Sequence, residues 1–439
     1  MRLFEWRSER FVIGEEKLSA FIKYLSVVWE NRKKYDEKEE LSEEEWQEEK
    51  IQKQRFFDFT IDEKISARNY VGVVQFDGVR VEVYPKIFAF EEERNEKKWQ
   101  LNLLFWLSYC RKIKFPFTSA DLSKIDFENF LELLIYVFAN FTHDTLSIQP
   151  FQTYQNVEEE TNFLKGSLSF ENYTKNNLVT GKWQNFYCKY QPFLYDNQFN
   201  RIVKYVTKRL LKISENDVNK SKLNEILFLL DEVTDNSISS SDCDKVQLNS
   251  LFSDHKKILD LCKLYLSNQV LDMNSDESEN FCFLIPMEYV FEDFIYGFIS
   301  EKWYHLNMVN QSKSYLATSQ GEKVFQIKND IYIKNKLIID TKYKVRYAGD
   351  GLKAGVSQSD LYQMVSYAIR RNCSDVLLLY PFVHSKINQS SSFKIPSEML
   401  NDNIKIEVKN IDISFEDICS ASELIEGRII DLITLFKKA

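Results

Sequence analysis

The 439-residue sequence has few of the residues that mark several large classes of protein. Its 11 glycines and 7 prolines are too few for a low-complexity or loop-rich chain. Its seven cysteines include no C-x-x-C pair, so neither a zinc ribbon nor a disulfide framework is indicated. No run of 18 apolar residues occurs, so we expect no membrane span.

Two further absences concern location and energy supply. The first residues, Met1 to Arg7, lack the apolar segment of a signal peptide, so we expect a cytoplasmic protein. No G-x-x-x-x-G-K-[ST] sequence occurs, so the chain is not expected to bind a nucleotide through a P-loop of its own. Any movement driven by nucleotide hydrolysis would therefore depend on a partner.

The residues that are present suit a large folded protein. Hydrophobic residues make up 44% of the sequence and aromatic residues 15%, which allows two or three domains with sizeable cores. The formal net charge of −9 does not favour nucleic-acid binding, but the charge is unevenly distributed. Residues 30–50 contain ten acidic and five basic side chains, whereas residues 321–390 contain eleven basic and six acidic ones. The second segment, with a balance of 11 − 6 = +5, has the electrostatic character expected beside a phosphate backbone.

Sequence patterns predict a multidomain α+β protein with three regions. Residues 1–170 are expected to form a small antiparallel β-rich domain with helices, because short apolar runs alternate with turn signals such as Asp77-Gly78. Residues 171–278 carry helix-spaced apolar residues and are expected to form a helical, stalk-like connection. Residues 279–439 are expected to form a restriction-endonuclease-like α/β core with a mixed sheet.

Within the last region, the order of elements is the main evidence for that core. Helices are expected over residues 288–304 and 357–371, with a β-hairpin between them. A buried strand is expected over residues 375–382. The α-β-β-β-α-β order requires one more strand, near residues 311–316 or 345–347.

The hairpin at residues 327–344 contains the candidate active site. Side chains alternate along a strand, so Asp340 and Lys342 share one face. A two-residue loop would turn Asp330 away from that face. A three-residue loop would place Asp330 directly opposite Asp340, with the Cβ atoms roughly 5 Å apart. Asn335 suits the longer loop because asparagine tolerates a positive φ.

Two opposed carboxylates raise each other's pKa unless a cation lies between them. Oxygen ligands in small number suit Mg²⁺, and a nearby lysine such as Lys342 would orient or activate a water and stabilise charge on a phosphate. Asp330, Asp340 and Lys342 thus have the order and approximate spacing of the PD-(D/E)xK nuclease motif, with Asn329 in place of proline. The alternative is a surface hairpin with Asp and Lys facing water. The apolar run Leu337–Ile339 favours the nuclease interpretation, because it places the pair at the end of a buried strand.

Two helices would complete the site. Active sites of this class often take a third carboxylate from the helix before the hairpin, and Glu292 is the candidate there, with Glu288 and Asp293 as competitors. Gln363 and Tyr367 are spaced i and i+4, so they lie on one face of the following helix. A Gln-x-x-x-Tyr sequence after the D-x-K strand occurs beside the catalytic centre in one branch of these nucleases.

Together these segments resemble the McrC family, the endonuclease subunits of McrBC-type restriction systems, including the LlaJI-like branch. The matching segments are Phe291–Phe294, Asp330 with Asp340–Lys342, Asp360–Ala368 and, in the N-terminal half, Tyr70–Val74, Val83–Ile87, Leu164–Leu168 and Asp196–Arg201. The resemblance spans about residues 58–380. The sequence departs from the family at Asn329 and in its enlarged acidic region near residues 30–55.

The resemblance implies a Mg²⁺-dependent DNA endonuclease whose metal ligands are Asp330, Asp340 and Glu292. Lys342 would position the attacking water, and Gln363 with Tyr367 would support the site. It also implies a separate partner, an McrB-like AAA+ GTPase hexamer. The N-terminal half of the chain would insert into that ring and stimulate GTP hydrolysis.

Cutting both strands of DNA needs two active sites, so two nuclease domains would have to meet. Two alternatives remain open. The chain would be a non-catalytic activator or scaffold of the AAA+ ring, or a stand-alone repair nuclease of the same fold. The intact Asp, Asp and Lys weigh against the first alternative, and the large N-terminal half weighs against the second.

Overall fold

The computed structural model describes residues 1–36, 56–60, 62–111, 115–116, 127, 129–267, 280–334, 336–346, 351–384, 386, 388–397, 400 and 403–433. The acidic region near residues 30–55 lies outside these residues from residue 37 onward, and so does Asn335. The chain forms two compact units. Unit 1 combines Met1–Leu133 with Asn268–Ala439, and unit 2 is Leu134–Ser267.

The helices and strands follow one another in a mixed order. The first elements are β1 (Arg2–Phe4), β2 (Ser8–Arg10), α1 (Glu15–Asp36), β3 (Phe57–Thr60), β4 (Lys64–Ala67), β5 (Tyr70–Phe76), β6 (Val79–Tyr84), α2 (Glu96–Tyr109) and α3 (Phe130–Ile148). The middle elements are β7 (Thr153–Tyr154), β8 (Val157–Thr161), β9 (Ser167–Leu168), α4 (Phe170–Tyr173), β10 (Phe186–Tyr190), β11 (Phe193–Leu194), α5 (Gln198–Ile213), α6 (Asp217–Leu229), α7 (Ser240–Cys243) and α8 (Ser253–Ser267). The last are β12 (Phe281–Pro286), α9 (Met287–Lys302), β13 (Met308–Ser319), β14 (Glu322–Ile333), β15 (Leu337–Thr341), α10 (Gln358–Arg371), β16 (Asp375–Pro381), β17 (Ser391–Ile395), β18 (Ile404–Ile411) and α11 (Ala421–Ile433).

The N-terminal sheet has the order β1-β6-β5-β12. The hairpin predicted at Asp77-Gly78 joins β5 to β6, and both turn residues have positive φ, at 46° and 73°. The sheet is not wholly antiparallel as expected, because β1 lies parallel to β6. Its fourth strand, β12, comes from the region assigned by sequence to the C-terminal core. Every residue of β12 from Phe281 to Ile285 is buried, and β12 runs antiparallel to β5.

The C-terminal sheet has the order β13-β14-β15-β16-β18-β17. The pairs β13–β14, β14–β15 and β17–β18 are antiparallel, and the pairs β15–β16 and β16–β18 are parallel, so the predicted mixed sheet is confirmed. The order α9-β13-β14-β15-α10-β16 is the predicted α-β-β-β-α-β order. The additional strand is β13, which covers residues 311–316, one of the two positions considered.

Unit 2 contains helices and small sheets. Helix α5 buries Phe199, Ile202 and Val206 at helical spacing, and the side chain of Asn197 caps its first turn by accepting from the Asn200 N–H. The region predicted as helical also contains β10 and β11, in sheets of order β8-β10-β9 and β7-β11. Among the described residues, no helix is long and apolar enough to cross a membrane.

Candidate functional site

The β14–β15 hairpin has the register of a three-residue loop. Ile331 lies opposite Ile339, and Ile333 lies opposite Leu337. Continuing this register by one residue places Asp330 opposite Asp340, as the sequence predicted for the longer loop. β15 is buried along its whole length, so the hairpin brings the two carboxylates together at the end of a buried strand, not on a wet surface.

Asp330 is fixed by the residue that follows Asp340. One carboxylate oxygen, Oδ2, accepts hydrogen bonds from the Thr341 N–H at 2.7 Å and from the Thr341 hydroxyl at 2.8 Å. Burial raises the pKa of Asp330, and the two bonds from Thr341 oppose that rise because they stabilise the ionised form. Thr341 therefore sets the orientation of the first carboxylate.

Asp340 is the most buried acid of the site, with 1% of its surface exposed. Burial, followed by the nearby charge of Asp330, raises the pKa of Asp340 to about 8. The Lys342 ammonium lies 2.8 Å from Asp340 Oδ2 and forms an ion pair with it. This pairing lowers the pKa of Asp340, but burial and the charge of Asp330 outweigh it.

Lys342 is held by a chain of hydrogen bonds that crosses to α10. Its ammonium donates to Gln363 Oε1 at 3.0 Å, and Gln363 Nε2 donates to the Tyr367 hydroxyl at 2.7 Å. Tyr367 in turn donates to the backbone carbonyl of Lys328 on β14, at 2.7 Å. Burial would lower the pKa of Lys342, but the charge and hydrogen bond of Asp340, together with the charges of Asp330 and Asp360, outweigh burial and raise it. The ammonium thus stays charged beside the two carboxylates.

Glu292 on α9 is the third carboxylate that acts electrostatically on this pair. Burial, followed by the charge of Asp330, raises the pKa of Glu292 to about 7. Its competitors are placed elsewhere. Asp293 is buried and forms a 2.6 Å ion pair with Arg111, and Glu288 is exposed. The structure therefore favours Glu292 among the three candidates on this helix.

Sequence reasoning missed Gln311, which supports Glu292 from β13. The Gln311 side-chain amide donates to Glu292 Oε1 at 2.9 Å. The backbone of Gln311 has a φ of 46°, a conformation that is rare for a residue with a side chain and recurs at functional sites. No pattern in the sequence signals a left-handed residue inside a long strand.

Asn329, which takes the place of the motif's proline, is a structural residue. It is fully buried, and its Oδ1 accepts a hydrogen bond from Arg371 at 2.8 Å. Arg371 also donates to the carbonyl of Ser312 on β13, at 2.6 Å. Asparagine in place of proline thus helps to connect the β13–β14 pair to α10 through Arg371. The substitution removes no carboxylate.

The residue after Lys342 is anchored to the N-terminal sheet of the same unit. Glu5 is 1% exposed, and its Oε2 accepts from the Tyr343 hydroxyl at 2.9 Å and from the Lys86 N–H at 3.0 Å. The Lys86 ammonium donates to the Tyr343 carbonyl at 2.9 Å and lies 4.1 Å from the centre of the Tyr343 ring. Burial raises the pKa of Glu5 to about 7 and lowers the pKa of Lys86. These three residues, Glu5, Lys86 and Tyr343, are called the buried anchor below.

The donor set fits a magnesium ion, although no cage is already formed. Among the described residues, no three Asp, Glu, His or Cys side chains are grouped as a ready-made metal site. Mg²⁺ needs only one or two carboxylates, because it keeps several waters and binds substrate phosphates. Asp330 and Asp340 supply oxygen ligands only, which is the donor type that Mg²⁺ prefers.

Comparisons with known proteins agree with the fold and identify the family. No curated protein sequence matches the chain. A chain in the refined half-complex from the tetradecameric assembly of Thermococcus gammatolerans McrB AAA+ hexamers with bound McrC is similar, with a TM-score of 0.69 and 19% identity, over 99% of this chain and 100% of that chain. A chain in the cryo-EM structure of the Thermococcus gammatolerans McrBC complex has a TM-score of 0.51 and 20% identity, over 84% of this chain and 99% of that chain. The profile of the family described as McrBC 5-methylcytosine restriction system component matches residues 65–381, so the chain belongs to the McrC family of these restriction-system components.

Proposed function

We propose that this chain is the DNA endonuclease subunit of a GTP-dependent McrBC-type restriction complex. The observation that carries the proposal is the buried site on β14 and β15. There Asp330 on β14 and Asp340 on β15 occupy opposed positions, and the Lys342 ammonium is held 2.8 Å from Asp340 Oδ2. Burying two carboxylates and a lysine together is costly for stability, so their presence at one site points to chemistry.

In the proposed reaction, Asp330, Asp340 and Glu292 would hold Mg²⁺. When bound, the ion would supply Lewis-acid stabilisation of the phosphate and lower the pKa of a bound water. Thr341 keeps Asp330 oriented for this role, and Gln311 does the same for Glu292. Two of the three proposed ligands, Asp330 and Glu292, therefore have a neighbour that fixes them in advance.

Lys342 would position the attacking water and stabilise charge that develops on the phosphate. Its hydrogen bond to Gln363, and the bond from Gln363 to Tyr367, limit the motion of a long side chain. A charged amine held in this way need not reorganise as negative charge forms on the substrate. Gln363 and Tyr367 are thus positioning residues in this proposal.

The proposed partner is an McrB-like AAA+ GTPase hexamer, and the proposed substrate is DNA in the cytoplasm. The similar solved complexes contain McrB AAA+ hexamers with bound McrC. In this chain, unit 2 supports a partner surface, because it exposes large apolar side chains that a monomer would normally bury: Tyr154, Phe163, Leu164, Phe170, Trp183 and Phe193. Double-strand cleavage would require two copies of the nuclease domain to act together.

The first experiment compares the parent with Asp340→Ala. We expect DNA cleavage only with Mg²⁺, the partner GTPase and GTP together, and we expect the substitution to abolish cleavage while stimulation of GTP hydrolysis persists. The matched control is Asp375→Ala, which removes a carboxylate from the start of the neighbouring strand β16 and should leave cleavage unchanged.

Three other outcomes would contradict parts of the proposal. Cleavage by the chain alone would identify an autonomous nuclease. Stimulated GTP hydrolysis without any cleavage would identify a non-catalytic activator. Equal loss of cleavage and of GTPase stimulation in Asp340→Ala would show that the two roles are not separate.

A further inference from the structure

The β13–β14 pair extends well beyond the rest of the C-terminal sheet. Both strands have 12 residues, but β15 pairs with β14 only at Ile331–Ile333. Residues 312–319 and 322–329, called the arm below, pair only with each other. The arm begins one residue from Asp330, so it projects from the candidate active site.

Two lysines face each other at the base of the arm. Lys313 on β13 is directly opposite Lys328 on β14, and directly opposed side chains lie on the same face of an antiparallel pair. Like charges at such positions destabilise a sheet. Within the described part of the chain, neither ammonium forms a direct ion pair, although Lys328 lies close enough to Glu292 and Asp330 for their charges to interact.

The lysine pair is also close to the catalytic carboxylates. Lys328 precedes Asp330 by two residues on the same strand, at a separation of about 7 Å along β14. Its charge acts on both Glu292 and Asp330, in each case lowering a pKa that burial raises. The positive pair therefore begins beside the candidate metal ligands.

The backbone around the lysines is held firmly by α10. Tyr367 donates to the Lys328 carbonyl, and Arg371 donates to both Ser312 and Asn329, which form the adjacent pair of opposed residues. The two ammonium groups are thus presented from a fixed ladder and not from a loose loop. A repulsive pair kept in place this way indicates an anionic partner.

We infer that Lys313 and Lys328 together bind a backbone phosphate of the DNA strand, next to the phosphodiester that the site would cut. The inference rests on the proposed nuclease function and adds the surface that seats its substrate. Lysine binds phosphate as a point charge, so the contact positions the strand and carries no sequence preference. Two ammonium groups at the base of a two-stranded ribbon, beside the candidate metal ligands, would guide the backbone into the site.

The test measures duplex DNA affinity against salt concentration, with full-length protein carrying Asp340→Ala so that no DNA is cut. The variant is Lys313→Gln with Lys328→Gln. Its matched control is Lys334→Gln with Lys336→Gln, which removes two exposed lysines at the other end of β14. Counterion release predicts a slope of log affinity against log salt that is shallower by about 1.8 in the variant only.

A double replacement by arginine, Lys313→Arg with Lys328→Arg, should retain the parent slope, which separates loss of charge from loss of fold. If the glutamine variant keeps the parent slope, or if its slope becomes shallower by no more than that of the control, the proposed phosphate contact is wrong. The nuclease proposal would then still stand. If the parent binds no DNA either alone or with the partner GTPase, both proposals fail together.

Discussion

Replacing Glu5 by glutamine should make the stability of unit 1 less dependent on pH. Glu5 is almost fully buried in the anchor, and its pKa is raised from an ordinary value of 4.5 to about 7, chiefly by burial. Between these two values the folded chain keeps the Glu5 proton and the unfolded chain releases it. The unfolded state then binds fewer protons, so stability falls as pH rises through this window.

The size of the effect follows from the two pKa values. About 2.5 pH units separate them, and each unit corresponds to about 1.4 kcal/mol, so ionisable Glu5 lowers the free energy of unfolding by about 3 kcal/mol between pH 4 and pH 8. Glutamine has no charge to desolvate. Its carbonyl oxygen still accepts from the Lys86 N–H and the Tyr343 hydroxyl. The free energy of unfolding of Glu5→Gln, relative to that of the parent, should therefore rise by about 3 kcal/mol from pH 4 to pH 8.

Urea unfolding at pH 4 and pH 8, followed by tryptophan fluorescence, measures this difference. Six of the seven tryptophans belong to unit 1 by sequence, since only Trp183 lies in unit 2, so the signal reports mainly on unit 1. Glu9→Gln, at an exposed position on β2, is the control and should change stability equally at both pH values. If the difference between Glu5→Gln and the parent is also the same at both pH values, the assigned role of Glu5 is refuted.

Three further substitutions test other contacts. Gln311→Ala removes the amide that orients the α9 carboxylate, so the Mg²⁺ concentration for half-maximal cleavage should rise about tenfold in a metal titration, and an unchanged value would exclude this role. Tyr367→Phe leaves a carbonyl of β14 without its donor and should lower the free energy of unfolding by about 1 kcal/mol, measured by urea unfolding. Gly72→Ala would place a Cβ 1.9 Å from the carbonyl oxygen of Phe283 at a φ of 133°, so it should greatly reduce soluble yield, whereas Gly14→Ala, with open space around it, should not.

Local patterns were sufficient to predict the hairpin and its neighbours. The apolar run Leu337–Ile339 and the loop length together fix which side chains face one another, because a shift of one residue would turn Asp340 to the other side. Helix spacing likewise placed Gln363 and Tyr367 on one face, where they do contact each other. These features depend on residues close together in the sequence.

Long-range features were not predictable in the same way. The pairing of β12 with β5 joins residues more than 200 positions apart, and the apolar sequence of β12 suits many sheets equally well. The left-handed backbone of Gln311 arises from the surrounding structure and not from its residue type. The ion pair between Asp293 and Arg111, which separates Asp293 from Glu292 as a candidate, was also not predictable from sequence, because the two residues are 182 positions apart.

The position of β12 has a consequence for biosynthesis. The edge of β5 stays without its neighbour until residue 286 has been made, 286 − 133 = 153 residues after the N-terminal part of unit 1 ends. At translation rates of about 5–20 residues per second, the delay is about 8–30 s. During that time an open strand edge is a template for pairing with other chains. Fragments that stop before β12 should therefore aggregate, and chaperone binding during synthesis should be strongest over this interval.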